Sequence, residues 1–105
     1  MTESQLTAAI LDALSRSGRG LFWRHNTGKL QDARGRWVSY GLGIGGPDIV
    51  GMLLPDGRFV GLEIKSEDGR VSPEQHAWHN VARKHGALIA VVRTVKEALD
   101  VVGAP

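Results

Sequence analysis

Apolar residues recur at Leu6, Ala9, Ile10, Ala13 and Leu14, the spacing that gives a helix one apolar stripe. Thr2 and Gln5 stand where a capping box needs them, and Ser15 to Gly20 ends the pattern. Leu21 to His25 is aromatic and apolar and reads as a strand. Asn26 to Arg36 carries Thr-Gly and Arg-Gly turn signals. Trp37 to Tyr40 then reads as a short strand that would pair with residues 21–25 across a long loop. The four glycines in Gly41 to Gly46 suit a close backbone approach.

Asp48 to Leu54 and Phe59 to Lys65 predict two strands joined at Pro55-Asp56-Gly57-Arg58, an antiparallel hairpin. Ser72-Pro73-Glu74-Gln75 is a helix start, with Ser as cap, Pro in the first turn and Gln completing a capping box. That helix should run to about His85 and stop at Gly86. The unbroken apolar run Ala87 to Val92 predicts a buried strand. Thr94, with Glu97 at the box position, caps a last short helix. The order is α-β-(β)-β-β-α-β-α. It predicts an α/β fold, one mixed β-sheet flanked by helices, in a single domain over residues 1–105.

Composition narrows the class. Apolar residues make up 42% and charged residues 23%, which is globular. With no cysteine, disulfides, zinc ribbons, Fe–S clusters and thiol nucleophiles are excluded. No apolar run is long enough to cross a bilayer and no signal peptide is visible, so a cytoplasmic location with no membrane partner is the expectation. The net charge is only +2, but residues 19–46 carry Arg19, Arg24, Lys29, Arg34 and Arg36 against Asp32 alone. The positive charge is concentrated in one Gly-rich segment, which is either a solvated loop or a nucleic-acid contact.

The hairpin over residues 47–65 carries the candidate chemistry. Alternation puts Val60, Leu62 and Ile64 on one face of its second strand, and Phe59, Gly61, Glu63 and Lys65 on the other. Asp48 opens the first strand at the same end of the hairpin. Two carboxylates and an ammonium would then converge on one spot. Close carboxylates resist ionising together, and a divalent cation relieves this; hard oxygen ligands suit Mg²⁺ or Mn²⁺. Glu-x-Lys alone is usually a surface ion pair. The ordered combination is more specific.

Pro47-Asp48 with Glu63-Ile64-Lys65 resembles the signature of the PD-(D/E)XK nuclease superfamily. Gly46-Pro47-Asp48-Ile49, Glu63-Ile64-Lys65-Ser66 and Val71-Ser72-Pro73-Glu74-Gln75 together resemble the VRR-NUC family. The resemblance implies a restriction-endonuclease-like core and Mg²⁺- or Mn²⁺-dependent phosphodiester cleavage. It implies that Asp48, Glu63 and the main-chain carbonyl of Ile64 ligate the metal and that Lys65 serves the attacking water. It places Gln75 near Lys65 or the metal's water shell, and matches Glu3 to an acidic residue able to reach the metal directly or through water. Glu3 reads equally well as a solvated first-turn glutamate. Stand-alone members resemble small viral or bacterial homodimers acting on branched DNA, including four-way (Holliday) junctions.

Arg24, Lys29, Arg34 and Arg36 are candidates for DNA phosphate contacts. The segment 24–40 could equally meet a second copy. Trp23, Trp37 and Tyr40 read first as core and second as stacking platforms. His76 and His79 share a helix face, but no third zinc ligand accompanies them. Gly41 to Gly46 precedes a strand, so no nucleotide cofactor is expected. The leading expectation is a structure-selective DNA endonuclease. Its alternatives are a non-specific or single-strand/flap nuclease and a non-catalytic nucleic-acid-binding module.

Overall fold

The computed structural model describes residues 1–105. Helix α1 spans Glu3–Arg16 and is closed at its start by the Thr2/Gln5 capping box. Strands follow at β1 (Gly20–Arg24), β2 (Gly28–Gln31), β3 (Trp37–Tyr40), β4 (Ile49–Leu53) and β5 (Arg58–Ile64). Helix α2 (Pro73–Lys84), strand β6 (Leu88–Val92) and helix α3 (Val95–Val101) complete the chain.

The main sheet has the order β1-β4-β5-β6. β4 is antiparallel to β1 and β5, and β6 runs parallel to β5. Alternation sends Val60, Leu62 and Ile64 into one core with Ile10 and Leu14 of α1, Ile49, Val92, Ala98 and Val102. Each of the Val, Leu and Ile side chains contributes about 1.5–3 kcal/mol when fully buried. α2 covers the other face, where Trp78 meets Phe59 at a centroid distance of 6.4 Å. Helices thus flank a mixed sheet, as the order of elements predicts.

One pairing differs from the expectation. Trp37–Tyr40 does not pair with β1. It pairs with Gly28–Gln31, inside the stretch read as turns, and forms a separate two-stranded sheet. β1 instead pairs with β4 over Gly20↔Leu53 to Arg24↔Ile49. The reason lies in Asp32. Its carboxylate accepts from the backbone N–H groups of Arg34 and Arg36, at 2.8 and 2.9 Å, and Gly35 supplies a φ of 77°. This local turn closes the ribbon long before the chain could return to β1. The Thr94 cap also differs in detail: Thr94 accepts from the Glu97 N–H, while the Glu97 carboxylate takes the N–H of Arg93.

Candidate active site

Glycine sets the position of Asp48. Gly61 lies on the α2-facing side of β5, two residues before Glu63. A Cβ there would stand 2.7 Å from Pro47 Cγ and 3.0 Å from Ile89 Cδ1. Its absence lets Pro47 lie against the sheet, which delivers Asp48 to the end of β4. The Asp48 backbone continues the ladders on both sides: its N–H donates to the Leu62 carbonyl, and its carbonyl accepts from the His25 N–H. Its carboxylate oxygen Oδ2 accepts from the Ile64 N–H at 2.7 Å. Asp48 is thereby tied to the same stretch of β5 that carries Glu63.

Glu63 is buried, 1% exposed, on the α2 side of the sheet. Gln75 Nε2 donates to its Oε2 at 3.1 Å, and His79 Nε2 lies 3.1 Å from its Oε1. Gln75 meanwhile uses its Oε1 to accept from the Ser72 N–H at 2.8 Å, closing the α2 capping box. A single amide therefore closes the capping box, as expected, and also holds Glu63. Burial, and then the neighbouring Asp48 carboxyl, push Glu63 up to about 9; Lys65 pulls the other way and Glu3 adds to the rise. Asp48, Glu3 and Lys65 thus all act electrostatically on Glu63.

Burial, and next the Arg83 cation, hold His79 below the usual histidine range. Glu63 is shifted up and His79 down, and both shifts favour a neutral hydrogen bond over an ion pair at their 3.1 Å contact. His79 went unassigned in the sequence. It lies one helical turn after Gln75, and that spacing was the available signal.

Glu3, at the start of α1, accepts from the Ser66 N–H through Oε2 at 3.3 Å. This brings α1 to the end of β5. Arg93, just past β6, donates through Nη1 to the carbonyls of Ser66 and Gly69 at 2.6 and 2.8 Å. It fixes the loop that leaves Lys65. His25 has a defined tautomer: its Nε2 accepts from the Leu42 N–H at 2.9 Å, so Nδ1–H donates to the Pro47 carbonyl at 2.8 Å. It pins the Gly-rich loop to Pro47, and Trp78 pins it again by donating to the Leu42 carbonyl at 2.8 Å.

A polar cleft of about 350 Å³ is lined by Asp48 and Gln75 together with Gly46, Ser72, Asn26 and Thr27. A larger, mostly apolar concavity, about 530 Å³, lies over Ile44, Ala77, Trp78 and Val81 and is lined by neither Asp48 nor Glu63. The convergent polar groups make the smaller cleft the chemical one.

The donor set suits a hard divalent cation. The Asp48 carboxyl approaches Glu63 closely enough to oppose its ionisation. No three His, Asp or Glu side chains stand ready as a metal cage. Mg²⁺ does not require one: it is commonly bound by one or two carboxylates, with waters and substrate phosphate completing the octahedron. Asp48 and Glu63 would hold it, with the Ile64 carbonyl as a main-chain donor.

The basic residues divide. Lys29 and Arg34 lie on the exposed ribbon. Arg24 reaches Ser4 Oγ at 3.4 Å. Arg36 is paired with Asp32, Nε to Oδ2 at 2.8 Å, with its side chain still 68% exposed. Trp23, Trp37 and Tyr40 are all exposed, which corrects the expectation that they belong to the core. The short ribbon has no helix over it to bury Trp37 and Tyr40, and Trp23 lies on β1, an edge strand of the main sheet.

A mixed sheet carries Asp48, Glu63 and Lys65 toward one strand end, next to a polar cleft, and the family comparison makes this a nuclease-type domain. The VRR-NUC domain model matches residues 1–96. The chain is also similar to a solved structure described as a VRR_NUC domain. The two share 27% sequence identity over 95% of this chain and 92% of that one, with a TM-score of 0.64. No curated protein matches. The chain belongs to the VRR-NUC family. No helix is long and apolar enough to cross a membrane.

Proposed function

We propose that the protein is a Mg²⁺- or Mn²⁺-dependent endodeoxyribonuclease that hydrolyses phosphodiester bonds, preferentially in branched DNA, and acts as a homodimer. The observation that carries the reading is the meeting of Asp48, Glu63 and Lys65 at the end of β5, beside the polar cleft. A bound divalent cation would neutralise charge on the phosphate and make a water more acidic. Asp48 and Glu63 hold that cation. Lys65 orients the attacking water and offsets charge developing on the phosphate. As the water oxygen bonds to phosphorus, the bond to the leaving sugar oxygen breaks. The water gives up a proton and the leaving oxygen takes one. Gln75 and His79 keep the Glu63 carboxyl in place throughout.

DNA as substrate is supported by family membership and by Arg24, Lys29 and Arg34. The homodimer is supported by Leu21, Trp23 and Met52, which the β1–β4 register places on one sheet face and which remain exposed. A two-fold pair would also supply two centres for paired cuts.

The test is cleavage of labelled single-stranded, duplex, flap and four-way DNA under one condition with Mg²⁺ and with chelator. Cleavage that requires the cation and favours branched substrates supports the reading. No cleavage of any substrate by the dimeric protein removes it.

A further inference from the structure

The β2–β3 ribbon lies apart from the main sheet, and nearly all of its residues are exposed. A bare two-stranded ribbon is marginal in water, so its ends must be held. At the root, Thr27 Oγ1 donates to the Tyr40 carbonyl at 3.0 Å. At the tip, Asp32 ties the turn. The ribbon is therefore preformed.

Its register divides it into two faces. Directly opposed residues share a face, so Lys29, Gln31, Trp37 and Ser39 lie on one side, and Leu30, Val38 and Tyr40 on the other. The acid on this ribbon, Asp32, is consumed by the turn and by Arg36. Lys29 and the Arg34 guanidinium keep their charges free. Trp37, 69% exposed, stands among them. An indole beside unpaired cations matches a base next to its phosphates. Position adds to this. The cleft lined by Asp48 is lined also by Asn26 and Thr27, where the ribbon is rooted. Trp37 opposes Gln31, on the order of 10 Å along the ribbon from that root. A strand that leaves the cleft at Asn26 and Thr27 and follows the ribbon reaches Trp37 within a few nucleotides.

We propose that this ribbon is a DNA-gripping arm whose Lys29–Gln31–Trp37 face holds unpaired nucleotides next to the cleft, with Trp37 stacking on an exposed base. Bases in continuous duplex are already stacked and offer the indole no face. The arm therefore favours flaps, gaps and junctions over duplex. This rests on the nuclease reading for its position, but its readout is binding and needs no cleavage.

The test places 2-aminopurine in the single-stranded arm of a flap and measures fluorescence and affinity in chelator. The expected result is fluorescence quenching by the unsubstituted protein and by Trp37→Phe, and none by Trp37→Ala. The flap-over-duplex affinity ratio should fall about 5- to 100-fold in Trp37→Ala. Equal losses on flap and duplex, or quenching that survives in Trp37→Ala, would overturn the proposal. So would a switch from dimer to monomer in Trp37→Ala, which would make the ribbon a protein interface. Quenching without cleavage of any substrate would remove the nuclease reading and leave the arm standing.

Discussion

His79 Nε2 lies 3.1 Å from Glu63 Oε1, and each side chain is only 1% exposed. With Gln75 on the other oxygen, both Glu63 oxygens are held from α2. The acid's aim is thus set by the rotation of a helix whose start is fixed by a capping box.

Removing the imidazole should loosen that aim. His79→Ala is expected to weaken Mn²⁺ binding and cleavage about 10- to 100-fold, as loss of a ligand's supporting partner typically does. His79→Gln, which keeps a polar group against Glu63, should recover part of it. Mn²⁺ titration followed by electron paramagnetic resonance reads the binding directly. Equal affinities in His79→Ala and the unsubstituted protein would show that Glu63 needs no such support.

Gln75 can be divided into its two roles. Gln75→Glu keeps a side chain able to close the capping box but sets a carboxyl against Glu63 where the amide donated. It should keep α2 helical by circular dichroism and still lower activity by at least tenfold. Activity near that of the unsubstituted protein would reduce Gln75 to its cap.

The pH dependence of stability follows from Glu63 and His79. Glu63 binds its proton more tightly folded than unfolded, up to about 9 against 4.5. Its contribution is full below about pH 4.5 and is lost as pH rises toward 9. His79 is shifted downward, so its contribution is present above about 6.5 and lost on acidification. Below about pH 6.5 the two oppose each other. Above it Glu63 acts alone, and the metal-free protein should lose up to about 1.4 kcal/mol per pH unit toward pH 9. Thermal melts of the protein and of Glu63→Gln check this. The slope should largely vanish in the variant, and a persistent slope would assign it to another group.

Gly61→Ala tests how Asp48 is positioned. Its Cβ would press on Pro47 and Ile89. A loss of about 1–3 kcal/mol is expected, the usual cost of overpacking. Metal affinity should fall with it, because Pro47 carries Asp48. Lost stability with unchanged affinity would uncouple the two.

Much of this was readable in the chain. Alternation in Phe59 to Lys65 gave the facing of Glu63 and Lys65, because one side of β5 had to meet an apolar core. The Thr2, Ser72 and Thr94 caps marked all three helices. What stayed hidden depends on placement between elements. Gly28 to Gln31 has no apolar alternation, so its strand showed only through its partner. Arg36 looked free until Asp32 folded back onto it. His79 paired in the sequence only with His76 on one helix face, because nothing in the sequence fixes the rotation of α2 over β5.

The central claim is that Asp48 and Glu63 together hold a cation that phosphodiester cleavage requires. It is tested most directly by the single-turnover cleavage rate of flap DNA across a Mn²⁺ titration. Asp48→Ala and Glu63→Ala should each abolish the Mn²⁺-dependent rate while the proteins remain folded. A rate that rises with Mn²⁺ in both variants as it does in the unsubstituted protein would contradict the account.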